Sequence, residues 1–325
     1  MAAAPAAGQD KIVLVGSGSN VPLYLYEAWT HEFNQENATL QVKYLPLGTA
    51  ESIKQISHGV GDFGDGEVPL SDEQMHAAGT GLISLPAVLV GIVPVYNLPG
   101  NPELNFSGEL LGEMYLGSVK NWQDPRIAKL NPGLALPNLP VKIIHRSPGK
   151  GSNYIFTDFL SKTNAQFRIQ VGKSPSPRWP LGADAERGQD MVQMVTETPG
   201  AIGYVEADFA KIGGIGYGRV QNLSGRFVTA TPATIAAACA ARLHSIPEDF
   251  RVDMTDAPGA DSYPLTSFSW IYVPRSGDSP DRRKALRDFL NWSLDDGQRI
   301  AAKIGYAPLP ASIAAKARAV VSSLQ

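Results

Sequence analysis

A single cysteine, Cys239, is all that the 325 residues contain, so the chain has neither an internal disulfide nor a multi-cysteine metal cluster. Its setting, Ile235-Ala-Ala-Ala-Cys-Ala-Ala241, is an alanine-rich helical run in which a cysteine acts as a small buried hydrophobe. Long apolar runs are missing as well, since none approaches the ~18 residues that a bilayer span needs. Charge excess of either sign is absent. With 28 Lys and Arg against 31 Asp and Glu, the formal charge is -3, which leaves no basic field to draw nucleic acid or an acidic membrane. Any anion must be captured by a local site.

Conventional phosphate and catalytic signatures are lacking too. Gly16-Ser-Gly-Ser-Asn-Val21 has valine where a dinucleotide fingerprint needs its third small residue, and Gly151 follows Lys150 where a P-loop requires Ser or Thr. No G-x-S-x-G elbow occurs, and His31-Glu32 has Gln35 where a zinc protease would have its second histidine. His31, His58, His76, His145 and His244 are scattered without metal-ligand spacing; only His145 draws interest, because it adjoins Arg146. The start, Met1-Ala-Ala-Ala-Pro-Ala-Ala-Gly-Gln-Asp10, has no signal-peptide core and reads as the spacer that follows a cleavage site. A mature exported protein is the expectation, with a cytoplasmic protein as the alternative.

What is present is turn-rich and divided. Thirty-two Gly and 25 Pro exceed the usual share, and the length suggests about two domains. Leu25, Trp29 and Phe33 recur at helical spacing after a strand at Lys11–Val15, a second strand is expected at Leu40–Leu45, and Thr49 is the candidate N-cap of a following helix. A third strand breaks into the turn Asp62-Phe-Gly-Asp-Gly-Glu67. This βαβαβ order predicts a parallel sheet with functional loops at the carboxyl ends of its strands. The run Leu82–Tyr96 reads as buried strand pieces interrupted by proline, crossing into a second lobe. Later, Ser267–Val273 is a strand, and helices are expected at Arg282–Leu294 and Gln298–Ile304.

Two glycine turns stand out, Gly16-Ser-Gly-Ser-Asn-Val21 and Arg146-Ser-Pro-Gly-Lys-Gly-Ser-Asn153, each after an apolar strand and before a helix. Free backbone N–H groups and the positive end of the helix dipole make such a junction an anion cradle. Two cradles suggest one anion held from two sides. Arg146 can offer a bidentate fork to an oxyanion, its plain alternative being a surface arginine beside an ordinary turn. Glu67 would repel an anion, yet it accepts a hydrogen bond from an oxyanion that still bears a proton, favouring hydrogen phosphate over sulfate. The alternative for Asp62, Asp65 and Glu67 is a solvated acidic turn, or a calcium-like loop of which only a fragment is present.

Taken in order, Gly16-Ser-Gly-Ser-Asn20, Asp62-Phe-Gly64 with Pro69-Leu-Ser-Asp72, Tyr115-Leu-Gly117, Asn121-Trp-Gln-Asp124, Ile127-Ala-Lys-Leu-Asn-Pro-Gly133 and Pro199-Gly-Ala-Ile-Gly-Tyr-Val-Glu206 make the chain resemble the periplasmic phosphate-binding proteins of phosphate ABC transporters, the PstS type. The resemblance runs from about Ile12 to Val205 and more weakly to Leu309. It implies an α/β, two-lobed venus-flytrap fold, each lobe a mixed, mostly parallel sheet flanked by helices. Residues 1–88 plus 262–325 would form lobe I and 89–261 lobe II, with the ligand cleft between them. It further implies a monomer outside the cytoplasm that binds inorganic phosphate without metal or other cofactor, hands it to the permease subunits of an ABC transporter, and catalyses nothing. Carried over by position, it points to Asn20, Val21, Thr49, Glu67, Arg146, Lys150, Gly151 and Ser152 as phosphate ligands.

The chain departs from that family pattern at the site itself. Asn20-Val21 replace Thr-Phe, Thr49-Ala-Glu-Ser52 replaces Ser-Ser-Gly-Gly, Glu67 replaces Asp, Pro148 replaces an acidic residue and Lys150 replaces Ser. The change at Pro148 is expected to free Arg146 from its acidic partner. Lys150 is expected to raise the positive charge and blur the rejection of sulfate, unless it pairs with Glu67 or Glu51. The competing functions are binding of another oxyanion or phosphorylated small molecule, a phosphoester hydrolase, which lacks an evident base or metal cluster, and a sensor or structural surface protein whose site has decayed.

Overall fold

The computed structural model describes residues 11–76, 81–277 and 279–324; the opening decapeptide read as a spacer lies outside them. Among the described residues, eleven strands alternate with helices: β1 (Ile12–Ser17), β2 (Leu40–Leu45), β3 (Phe63–Gly66), β4 (Leu82–Tyr96), β5 (Asn105–Phe106), β6 (Lys142–Arg146), β7 (Ala183–Ala185), β8 (Ala201–Glu206), β9 (Arg219–Gln221), β10 (Phe227–Val228) and β11 (Thr266–Pro274). Eight of them form one sheet in the order β2-β1-β3-β11-β4-β8-β6-β7, and β10-β9-β5 form a small second sheet. The expected parallel pairing holds for β1 with β2 and β3, and for β6 with β7 and β8. At the centre β11 runs antiparallel to both β3 and β4, and β4 antiparallel to β8, in keeping with the mixed sheet that the resemblance implies. The sheet is therefore mixed.

Strand β4 joins the two halves. Its fifteen residues are all buried, as a continuous apolar run predicts. Leu82–Gly91 pair with β11, and Ile92–Tyr96 pair with β8. The prolines do not cut it into pieces. Pro86 pairs with Trp270 at a register shift that leaves Ala87 without a partner, and such a bulge tolerates a residue with no N–H to donate.

This register also sets where strand ends fall. Gly66, the last residue of β3, aligns through Trp270 with Pro86, whereas Glu206, the last residue of β8, aligns with Ile92. Since β3 runs with β4 and β8 runs against it, the carboxyl ends of β3 and β8 point at each other across six residues of β4, about 20 Å at strand rise. The two halves thus aim their strand ends at one region.

Side-chain packing closes the first half through the far end of the chain. The helix Leu23–Glu36 buries Leu25, Tyr26, Trp29 and Phe33, the stripe that its spacing predicts. Trp29 Nε1 donates to the Gly297 carbonyl at 2.8 Å, which ties that helix to the helix Asp296–Ile304. In the second half, Trp122 Nε1 donates to the Gly200 carbonyl at 2.9 Å. Cys239 is buried in the helix Pro232–Ala240, and burial pushes its thiol up to about 12. It is an inert packing residue.

Candidate functional site

The sequence places Asp65 and Glu67 two residues apart at the end of β3, so the pleat puts both on one face. Each is fully buried. The solvated acidic turn considered as their alternative is thereby excluded, and only Asp62 meets the rim, where Arg282 grips it and the Val15 N–H donates to it at 2.7 Å. Around Asp65, Tyr26 donates its hydroxyl at 2.9 Å, and Ser19 supplies a backbone N–H. Around Glu67, Thr49 Oγ1 donates to Oε2 at 3.0 Å, and the Ser19 side chain hydrogen-bonds to the carboxyl. Ser269 Oγ, from β11, stands between the two carboxyls, 2.9 Å from Asp65 Oδ2 and 3.0 Å from Glu67 Oε1.

Burial raises both carboxyls. Asp65 is pushed up to about 7 by loss of hydration, and Glu67 to about 8 by the same loss together with the charge of Asp65. Thr49 is not the N-cap that its position suggested. Gly48 takes that place at φ 96, a conformation that glycine reaches without strain, and Thr49 becomes the first helical residue with its hydroxyl turned to Glu67. Asn20 and Val21 follow β1 as expected, but the Val21 side chain packs in the core and its N–H donates to Ser19 Oγ at 3.0 Å.

The opposing wall is the turn after β6. Lys150 is the N-cap of the helix Gly151–Thr163, whose start faces Glu67 so closely that a methyl on Gly151 would lie 1.7 Å from Glu67 Oε2. The two walls touch directly, because the Ala50 N–H donates to the Gly149 carbonyl at 3.1 Å. Arg146, the last residue of β6, is buried. Its Nη1 donates to Ser152 Oγ and to Glu206 Oε1, each at 3.2 Å, and its Nε and Nη2 donate to the Ala185 and Glu186 carbonyls, each at 3.3 Å.

Two expectations are corrected here. Arg146 is not freed by the change at Pro148, because buried Glu206, at the end of the neighbouring strand β8, neutralises it from the side. Lys150 pairs with neither Glu67 nor Glu51; its ammonium donates to Glu186. His145 turns to the other face of β6, as alternation requires, stacks on Trp179 at 5.3 Å and lies 3.2 Å from Asp184. It takes no part in the site.

The chain is matched by the model of the PBP superfamily domain over residues 2–297. It is 33% identical over 314 residues to the phosphate-binding protein PstS of Xylella fastidiosa, covering 95% of this chain and 85% of the relative. The PstS of Haemophilus influenzae is 34% identical over 305 residues, covering 92% and 90%. The chain belongs to the PstS family of the PBP superfamily.

Solved structures agree on the fold of this PstS-family chain. A high affinity periplasmic phosphate-binding protein solved with phosphate superposes with a TM-score of 0.74 at 18% identity, covering 95% of this chain and 93% of that one. An ABC-type phosphate transport receptor from Vibrio cholerae gives 0.61 at 17%, covering 91% and 100%. Of the eight positions carried over from the family, the structure gathers Thr49, Glu67, Arg146, Lys150, Gly151 and Ser152 around one seam, with Asn20 and Val21 on the turn beside it. Three more residues at the seam, Ser19, Glu206 and Ser269, were not singled out from sequence, and Asp65 was named there only as part of an acidic turn. Ser19 and Glu206 lie inside motifs that the resemblance quotes; Ser269 comes from a strand 202 residues from Glu67 and carried no signal.

Proposed function

We propose that this chain binds inorganic phosphate in the seam between its two halves and delivers it to the permease of an ABC-type transporter. One observation carries the reading: a buried arginine and a helix N-terminus on one wall face a buried, hydroxyl-lined carboxyl on the other. The Gly151–Thr163 helix start supplies positive potential for an oxyanion, and Arg146, neutralised by Glu206, joins Thr49, Ser152 and the turn amides as a donor. Names of relatives with more than 90% of this chain aligned support the ligand.

In this reading residues 1–88 with 262–325 make one lobe and 89–261 the other. The middle of β4, where its partner changes from β11 to β8, is the hinge. The ligand set is Asn20, Val21, Thr49, Glu67, Arg146, Lys150, Gly151 and Ser152, with Lys150 contributing through its place at the helix start while Glu186 holds its ammonium. The chain acts as a monomer on the outer side of the cytoplasmic membrane, and it is a carrier, not a catalyst. Calorimetry with phosphate, arsenate and sulfate tests the proposal. Heat saturating at one phosphate per chain is expected, and no heat with phosphate at micromolar protein would end it.

A further inference from the structure

The first N–H groups of a helix have no partner within it, and an acceptor on the third helical residue commonly reaches back to take one of them. The device is present elsewhere in this chain. Asp190, third in the helix Gly188–Glu197, accepts the Arg187 N–H at 3.0 Å, and Thr234, third in the helix Pro232–Ala240, accepts the Thr231 N–H at 2.9 Å. The helix Gly151–Thr163 at the seam has an acceptor-bearing residue in the same place, Asn153, yet its start carries no side-chain cap. Asn153 turns away from it.

Two sets of partners hold it there. Its Nδ2 donates to the carbonyls of Ser147 at 2.9 Å, Pro175 at 3.1 Å and Arg146 at 3.3 Å, all of which can only accept. Its Oδ1 accepts from the Tyr204 hydroxyl. That hydroxyl in turn accepts the Arg146 N–H at 3.2 Å, and a backbone N–H cannot reverse its polarity, so the single Tyr204 proton points to Asn153. Burial raises Tyr204, which therefore keeps that proton. The amide is thus oriented from both ends. Asn153 and Tyr204 are fully buried, and Phe156, one turn on in the same helix, stacks on the Tyr204 ring at 4.0 Å.

On the reading that the seam binds phosphate, we infer that Asn153 and Tyr204 are positioning residues for the anion. Tyr204 keeps the Asn153 oxygen from capping the helix, so that the N–H groups of Lys150, Gly151 and Ser152 stay open to the ligand. The Asn153 amide holds the Arg146 and Ser147 carbonyls, which then cannot turn toward the seam, where they would repel an oxyanion. Both side chains shape the cradle without being ligands themselves.

Removing the hydroxyl alone tests this. In Tyr204→Phe the Asn153 oxygen loses its donor and turns to the Lys150 N–H, as Asp190 takes that of Arg187. Calorimetry is expected to show phosphate affinity down at least about tenfold. Amide hydrogen exchange of the free protein, followed residue by residue, is expected to show Lys150 slowed by a similar factor. Slower exchange separates positioning from loosening, because a helix start that had merely lost support would exchange faster. Unchanged affinity, or faster exchange at Lys150, would overturn the inference.

A second background makes the connection to Asn153 explicit. Once Asn153→Ala has removed the competing oxygen, adding Tyr204→Phe should alter affinity by no more than about twofold, and a full loss there would also overturn the inference. If Tyr204→Phe does not fold, Asn153→Asp asks the same question. Its second oxygen can only accept, as those of Asp190 do, and both the weaker binding and the slower Lys150 exchange are expected again. A wild type that binds no phosphate refutes the proposed function, while the Lys150 exchange still decides whether Tyr204 keeps the helix start uncapped.

Discussion

Arg146 Nη1 lies 3.2 Å from Glu206 Oε1, with both side chains buried at the ends of the adjacent parallel strands β6 and β8. The arginine thus enters the seam as a pair of nearly zero net charge. Burial raises Glu206 and Arg146 lowers it, with the first effect the larger, so the carboxylate depends on its partner for ionisation. Removing one member of such a pair leaves an uncompensated charge.

The Glu206→Gln variant should therefore lose about 3–5 kcal/mol of stability in urea denaturation. Saturating phosphate should restore part of that loss, because the anion replaces the missing negative charge and binds only the folded state. Stability equal to wild type without ligand would contradict the account.

A methyl at position 151 has nowhere to go. In Gly151→Ala the added carbon would meet Glu67 Oε2 at 1.7 Å and Thr49 Oγ1 at 2.8 Å, so the two walls must separate. The variant should stay folded, since those contacts come from the opposite wall, but lose phosphate affinity by at least about tenfold, and small-angle scattering should show it more open than wild type. Unchanged affinity would show that the seam is not where the ligand sits.

Lys150 should matter less than its position suggests. Its ammonium is bonded to Glu186, whose side chain is 62% exposed, so the pair is screened by solvent and Lys150 brings little net charge to the seam. Lys150→Ser should change phosphate affinity by no more than about fivefold, within the usual worth of an exposed pair. A loss of a hundredfold in calorimetry would mean that the lysine leaves Glu186 for the ligand.

Three buried carboxyls fix the direction of pH dependence. Asp65 and Asp208 are raised from 3.8 to about 7 and Glu67 from 4.5 to about 8, in each case first by burial. Between those limits the folded chain binds more protons than the unfolded one, so stability present below pH 4 is lost as pH rises toward 8. Each group contributes a slope of up to about 1.4 kcal/mol per pH unit. Thermal midpoints of the ligand-free protein should fall from pH 5 to pH 8, and Asp65→Asn should flatten the decline. A midpoint rising through that range would refute the burial assignment.

Much of the architecture was legible because local rules are strong where the pattern is periodic. Leu25, Trp29 and Phe33 declared their helix, and Gly149 and Gly151 marked the turn that presents Arg146. Thr49 was misjudged as a cap because glycine at 48 could take the φ of 96 that the helix entry needed, which freed the threonine for Glu67. The prolines of β4 misled for a similar reason, since a one-residue bulge beside Trp270 accommodates Pro86 without ending the strand.

From the two glycine turns, Arg146, Glu67 and the ordered motifs, the sequence alone determined that the chain is an α/β protein of the phosphate-binding family with two strand-turn-helix junctions suited to an anion, because such junctions and residue chemistry are local properties. The partners of those residues were decided only in three dimensions. Glu206 reaches Arg146 across 60 residues of chain, Ser269 reaches Glu67 across 202, and Glu186 draws Lys150 away from both carboxylates that the sequence offered it. The physical reason is that charge and proton placement depend on distance and burial, which arise when β4 brings the two halves of the sheet together, and no spacing along the chain encodes either.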